Sequence, residues 1–212
     1  MLKIHSFVFS DFRENTYLIA TEAGETIIID PGCITVAEEQ TLTAFIESHH
    51  LRLTKIINTH CHLDHVFGNQ FVKDTYKVKM YCHINEEVIL ENTEMVAQMY
   101  GVERFTPTNA DHYITEGELI QIGDSTLEVL YLPGHAPGHI GLLNRAEKWL
   151  ISGDVLFRES IGRTDFPHCN HQDLINSIRN KLFTLPDDII VYSGHGVPTT
   201  IGHEKRNNPF LK

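Results

Sequence analysis

Thr59-His60-Cys61-His62-Leu63-Asp64-His65 packs four metal-type donors, His60, His62, Asp64 and His65, into six positions directly after an apolar, β-prone run that ends at Asn58. No helical or strand period requires so many imidazoles side by side, whereas two neighbouring metal ions use nitrogen and carboxylate donors at this density. Cys61 lies among them, but in extended chain its side chain points the opposite way, so it is not counted as a ligand. Three later turns each add a donor behind a glycine: His135 in Pro133-Gly134-His135, Asp154 in Ser152-Gly153-Asp154, and His195 in Ser193-Gly194-His195-Gly196. A glycine there lets the backbone turn sharply and approach a ligand. One Gly-His turn carries little weight, but three of them beside the dense cluster point to a metal centre.

Seven donors exceed what a single catalytic tetrahedral zinc takes while keeping a position open. The economical division gives His60, His62 and His135 to a first ion and Asp64, His65 and His195 to a second, with the two oxygens of Asp154 bridging both. Two ions ~3.5 to 4 Å apart activate a water near neutral pH, and the resulting hydroxide is the expected nucleophile. Zinc is the expected metal, and iron or manganese uses the same donor types.

The elements that must carry these donors read as strands followed by helices, twice. Ile4 to Phe9, Thr16 to Ala20 and Thr26 to Ile29 are β-like, the last ending in the turn signal Asp30-Pro31-Gly32. Leu42, Phe45 and Ile46 predict a helix from Val36 to His49, and Leu53 to Asn58 a buried strand that delivers the histidine cluster. A short helix near Asn69 to Lys73, a strand at Val78 to Cys82, a helix from Glu86 to Tyr100 and a loop at Thr106 to Asn109 follow. The second half gives strands at Leu119 to Ile122, Thr126 to Leu132, Ile140 to Leu143, Trp149 to Ile151 and Ile189 to Tyr192. A helix starting near Asn170, with Asp173 at capping-box spacing, presents Leu174, Ile175, Ile178 and Leu182 as its apolar face. The order suggests two mixed sheets packed together under outer helices, in a single domain spanning residues 1–212.

At 212 residues with 42% hydrophobic side chains, a core large enough for stability forms without disulfides. The net charge of -11 and the lack of any basic run argue against nucleic acid. No stretch approaches the ~20 apolar residues of a membrane span, and the first residues show no secretory signal pattern. Cys33, Cys61, Cys82 and Cys169 are widely spaced and form no C-x-x-C pair, so free thiols in a reducing cytoplasm are expected. Oligomeric state leaves no mark in the sequence.

The His-x-His-x-Asp-His pattern at residues 60 to 65, followed in order by His135, Asp154 and His195, resembles that of the metallo-β-lactamase-fold hydrolase superfamily over nearly the whole chain. The resemblance implies an α/β (α+β) class fold, an αβ/βα sandwich of two mixed β-sheets packed face to face, with a dinuclear site at one edge. Asp154 stands where the main zinc β-lactamases often carry a cysteine, and is similar to the bridging carboxylate of glyoxalase II. A small-molecule thioester such as a 2-hydroxyacyl glutathione is therefore the implied substrate, with Asp64 both ligating and orienting the hydroxide. Gly153-Asp154-Val155-Leu156-Phe157 and Ile161-Gly162-Arg163-Thr164-Asp165-Phe166 look like the matching stretch of short glyoxalase II-like hydrolases.

Arg163 falls where longer glyoxalase II enzymes have a basic residue for the glutathione moiety, and reads equally as an ion-paired surface arginine. Asp165 replaces a substrate-binding tyrosine of those enzymes. They also carry an extra helical domain, which is not expected here; Lys205 and Arg206 are the only candidates to replace its contacts, and read otherwise as solvated tail residues. His139 and His203 are expected to form hydrogen bonds rather than ligate, and Asp30 either supports the site from beneath or starts a turn. The Gly-Arg-Thr-Asp-Phe stretch also resembles persulfide dioxygenases, which use one iron held by the equivalents of His60, His135 and Asp154.

Overall fold

The computed structural model describes all 212 residues. Its first half lays down β1 (Lys3–Phe9), β2 (Glu14–Ala20), β3 (Glu25–Ile29), α1 (Val36–Ser48), β4 (Arg52–Ile57), α2 (Leu63–Val66), α3 (Asn69–Tyr76), β5 (Lys79–Cys82), α4 (Glu87–Leu90), α5 (Thr93–Met99) and β6 (His112–Tyr113). The second half adds β7 (Leu119–Ile122), β8 (Ser125–Tyr131), β9 (Ile140–Asn144), β10 (Trp149–Gly153), β11 (Leu156–Phe157), β12 (Ser160–Ile161), α6 (His171–Asn180), β13 (Ile190–Ser193), β14 (Thr199–Thr200) and α7 (Ile201–Asn207). Strands β1 to β6 form one six-stranded sheet in sequence order, and the second six-stranded sheet runs β14-β13-β10-β9-β8-β7. Both are mixed. The first is antiparallel from β1 to β3 and parallel from β3 onward, and in the second β10 and β13 run parallel.

Residue alternation explains why these runs bury both faces. In β3, Ile27 and Ile29 point into the layer between the sheets, where they meet Val129, Leu142 and Ile151 of the second sheet. Ile28, between them, faces the other way onto Leu42 and Ile46 of α1. On the opposite surface Leu143, Leu150 and Val191 pack against Leu174 and Ile178 of α6 and Ile201 of α7. Each such aliphatic side chain contributes roughly 1.5 to 3 kcal/mol on burial. Helix α1 begins at a complete capping box, Thr35 with Glu38. Helix α6 has the Asn170 half of one, its side chain accepting the amide of Asp173 at 3.1 Å. No helix is long and apolar enough to cross a membrane.

One expected element divides. The helix predicted from Glu86 to Tyr100 is a 3-10 turn, Ile84–Glu86, followed by the separate helices α4 and α5. Side chains take the carbonyls needed for continuity: Asn92 Nδ2 donates to Val88 O at 2.8 Å and Thr93 Oγ1 to Leu90 O at 2.7 Å. This competition between polar side chains and the helical ladder ends the turn.

Candidate metal centre

All seven expected donors converge at one rim of the sandwich, where strand ends from both sheets meet. Strand β4 of the first sheet delivers His60 and His62 on the segment entering α2, whose first turn carries Asp64 and His65. From the second sheet, His135 follows β8, Asp154 follows β10 and His195 follows β13. The approach is so close at Gly194 that a Cβ there would lie 2.1 Å from Asp154 Oδ1. The first sheet also holds the His195 turn: Asn15 N donates to Gly194 O at 2.7 Å, and Asn15 Nδ2 to Ser193 O at 2.9 Å.

Two groups form within the cluster. Donor atoms of His60, His62 and His135 lie within 4.8 Å of one another, and so do those of Asp64, His65 and His195. His62 Nδ1 and His135 Nε2 stand 2.9 Å apart, while His195 Nε2 is 3.2 Å from Asp64 Oδ2. Asp154 lies between the groups, with Oδ2 3.5 Å from His135 Nε2 and 3.5 Å from His195 Nε2, and Oδ1 3.6 Å from His65 Nε2. Asp30, His60 and His65 make a third close group, but Asp30 is already engaged. Its oxygens accept Thr59 N at 2.7 Å and Thr59 Oγ1 at 2.6 Å, and Oδ2 faces His65 Nδ1 at 3.1 Å. Asp30 therefore orients His65 from beneath and leaves Nε2 directed to the rim, the usual role of a carboxylate behind a ligating imidazole. His135 Nδ1 and His195 Nδ1 are similarly set by Arg163 O at 2.8 Å and Arg13 O at 3.2 Å.

The charges sort in the same way. Burial drives His60 well below its ordinary pKa, and burial with the neighbouring His135 holds His62 at about 3. These imidazoles are neutral and keep lone pairs free. Burial would lower His65 and His195 as well, but Asp64 and Asp154 reverse it, holding His65 well above its ordinary range and His195 at about 10. Both carboxyls remain below the usual carboxylate range in spite of burial, chiefly because His65 stands beside them. His60 Nε2, His65 Nε2 and Asp154 Oδ1 are buried without any hydrogen-bond partner. Orphaned polar atoms of this kind are costly, and here they face one another as two nitrogens and a carboxylate oxygen. That donor set fits divalent cations.

The remaining expected residues are placed differently. Arg163 lies at the rim, its side chain forked onto Asp165 at 2.7 Å through both Nε and Nη2 and stacked 3.9 Å over the Phe166 ring. Phe166 in turn meets His62 edge-on at 5.3 Å. Lys205 and Arg206 are not brought to the donors: both sit on α7 and pair with Asp187, at 2.7 and 3.2 Å, before the start of β13 and so at the end away from His195. His139 is fully buried and accepts the amide of Asp154 at 3.0 Å. His203 pairs with Glu159 at 2.9 Å, outside the cluster. Buried Glu14 and Glu86, each close to the donor loops, carry no sequence signal, since an isolated glutamate reads as surface.

A two-sheet sandwich with a histidine and aspartate cradle on its rim defines a metal-dependent hydrolase. The metallo-beta-lactamase superfamily model matches residues 10–195, and the chain belongs to that superfamily. It is 41% identical over 202 residues to hydroxyacylglutathione hydrolase GloC of Haemophilus influenzae, covering 94% of this chain and 93% of that protein. Among solved structures, the BLEG-1 B3 metallo-beta-lactamase matches with a TM-score of 0.90 at 35% identity, over 99% of this chain and all of that one. TTHA1623, solved in a di-iron-bound form, matches with a TM-score of 0.87 at 32% identity, over 98% of this chain and 100% of that one.

Proposed function

We propose that the chain hydrolyses a thioester of the glyoxalase II type, taking a 2-hydroxyacyl glutathione to the 2-hydroxy acid and glutathione. The observation that carries this reading is the carboxylate of Asp154 set between two three-donor groups, together with the similarity to a hydroxyacylglutathione hydrolase over nearly the full chain. His60, His62 and His135 would hold one divalent ion and Asp64, His65 and His195 the other, with the Asp154 carboxylate within reach of both groups. Bound there, the pair supplies Lewis acidity that lowers the pKa of water and polarises an acyl oxygen.

The chain's own groups do the rest. Asp64 stands in the second donor group, 3.2 Å from His195 Nε2 and 3.7 Å from His65 Nε2, where its carboxylate orients the attacking water and takes up the proton that water loses. The water oxygen bonds to the acyl carbon as the carbon–sulfur bond breaks. The leaving thiol departs as a thiolate, stable near neutral pH, so no side chain has to protonate it, unlike an amide nitrogen. Phe166, edge-on to His62, walls one side of the rim, and Arg163 above it offers a guanidinium fork to a carboxylate of the thiol carrier once released from Asp165.

The test is turnover of S-lactoylglutathione by protein loaded with zinc, manganese or iron, compared with chelator-stripped protein. Metal-dependent release of free thiol supports the reading. Loss of the thioester activity in every metal form, combined with oxygen uptake on glutathione persulfide by the iron form, replaces it with a dioxygenase.

A further inference from the structure

Glu86 closes the 3-10 turn before α4, 24 residues after His62 and 49 before His135, and its carboxylate is fully buried between the two loops that carry the first donor group. Oε2 accepts the amide of Cys61 at 2.6 Å, and Oε1 accepts the amide of Gly138 at 2.6 Å. Cys61 lies between His60 and His62, and Gly138 follows His135 on the same turn. One side chain thus ties the His60–His62 segment to the His135 loop. The contact shapes both partners: a Cβ at Gly138 would lie 2.9 Å from Glu86 Oε1 and Cγ and 2.8 Å from Glu86 N.

The second donor group is held by other means. Asn58 Nδ2 donates to His65 O at 2.8 Å, Asp30 faces His65 Nδ1, and Arg13 O faces His195 Nδ1. We propose that Glu86 is a positioning residue that sets the separation of His60 and His62 from His135, and thereby the affinity of one ion of the pair. The proposal rests on the two-ion reading above. An ion bound across two loops binds more weakly if it must also immobilise them, and outer partners of ligands typically change metal affinity about 10- to 100-fold. A carboxylate is required because both contacts are amide donors: a glutamine has one acceptor oxygen and would turn its NH2 toward the other amide.

Zinc affinities of the intact protein are measured by competition with a chromophoric chelator for wild type, Glu86→Gln and Gly138→Ala, the last loosening the clamp from its other side. The expected result is a 10- to 100-fold loss for one ion, as for outer ligand partners in general, with the other ion little changed; the metal-free melting temperature falls modestly in both variants, because glutamine leaves one buried amide unpaired and a Cβ at Gly138 would lie 2.8 Å from Glu86 N. In the His195→Ala background, where the second group is incomplete, the remaining ion must show the same loss on adding Glu86→Gln. Wild-type affinity for both ions in Glu86→Gln overturns the clamp, as does an equal weakening of both. Wild-type protein holding a single ion removes the two-ion reading instead; the clamp is then judged on that ion, and unchanged affinity in both variants overturns it.

Discussion

Replacing Asp154 by asparagine tests the shared carboxylate most directly, because the substitution keeps shape and removes charge. The two oxygens face His135, His195 and His65 at 3.5, 3.5 and 3.6 Å, so the lost charge belongs to both donor groups. At an effective dielectric of about 20, a unit charge ~4 Å from another contributes roughly 4 kcal/mol. Relaxation and water return part of this, leaving an expected loss of roughly 2 to 3 kcal/mol per ion, about 30- to 150-fold in affinity. His195→Ala removes a donor from one group only, and the other ion keeps His60, His62, His135 and the Asp154 carboxylate, so its affinity should fall by much less than that of the ion at the incomplete group. Elemental analysis after exhaustive dialysis and chelator competition read both quantities. If Asp154→Asn weakens one ion alone, or His195→Ala weakens both alike, the bridging assignment is wrong.

Three further outcomes are expected. Gly134→Ala should destabilise the fold by about 1 to 3 kcal/mol or more in urea unfolding, because Gly134 has φ +137 and a Cβ there would lie 2.2 Å from Leu174 N; an unchanged midpoint would contradict the packing described. In metal-free protein, His195 with its pKa raised to about 10 contributes stability that is complete below the ordinary imidazole pKa and lost as pH rises through about 10. The metal-free melting temperature should therefore fall across that window, less steeply in His195→Gln, and equal slopes would refute the carboxylate pairing. Lys205→Ala with Arg206→Ala should leave KM and kcat for the thioester unchanged, because both side chains pair with Asp187 instead; a tenfold rise in KM would restore them as substrate contacts.

The donors were legible because metal chemistry concentrates them: four in one short segment, and each of the others behind a glycine that the backbone needs. The strands that carry them were legible for a related reason, since Ile27 to Ile29 of β3 and Ile56 and Ile57 of β4 are fully buried and read as short apolar runs. What the chain hides is whatever depends on distant partners. Glu86 grips amides at positions 61 and 138, and no local pattern announces a glutamate that folds inward. Strands β6, β11, β12 and β14 have two residues each, too few to display a period of two. Helix α7 leaves little trace in the sequence because buried Glu204, which accepts from Glu159 N at 2.9 Å and Asn208 Nδ2 at 2.8 Å, ties it to distant chain. Arg163 stands beside His135 through its carbonyl, but its fork onto Asp165 follows from rotamers that spacing does not specify.

Neither sheet owns a complete set of donors. His60, His62, Asp64 and His65 come from one half of the sandwich and His135, Asp154 and His195 from the other, with His62 and His135 separated by 73 residues of chain. Cations seated here act as rivets across a seam, closing long loops much as a covalent cross-link does. The apolar layer fastens the spine of the molecule, and bound cations would add their hold to the side chains that tie the rim, such as Glu86 and Asn15. A chain deprived of metal would thus gape first at the mouth through which its substrate must come.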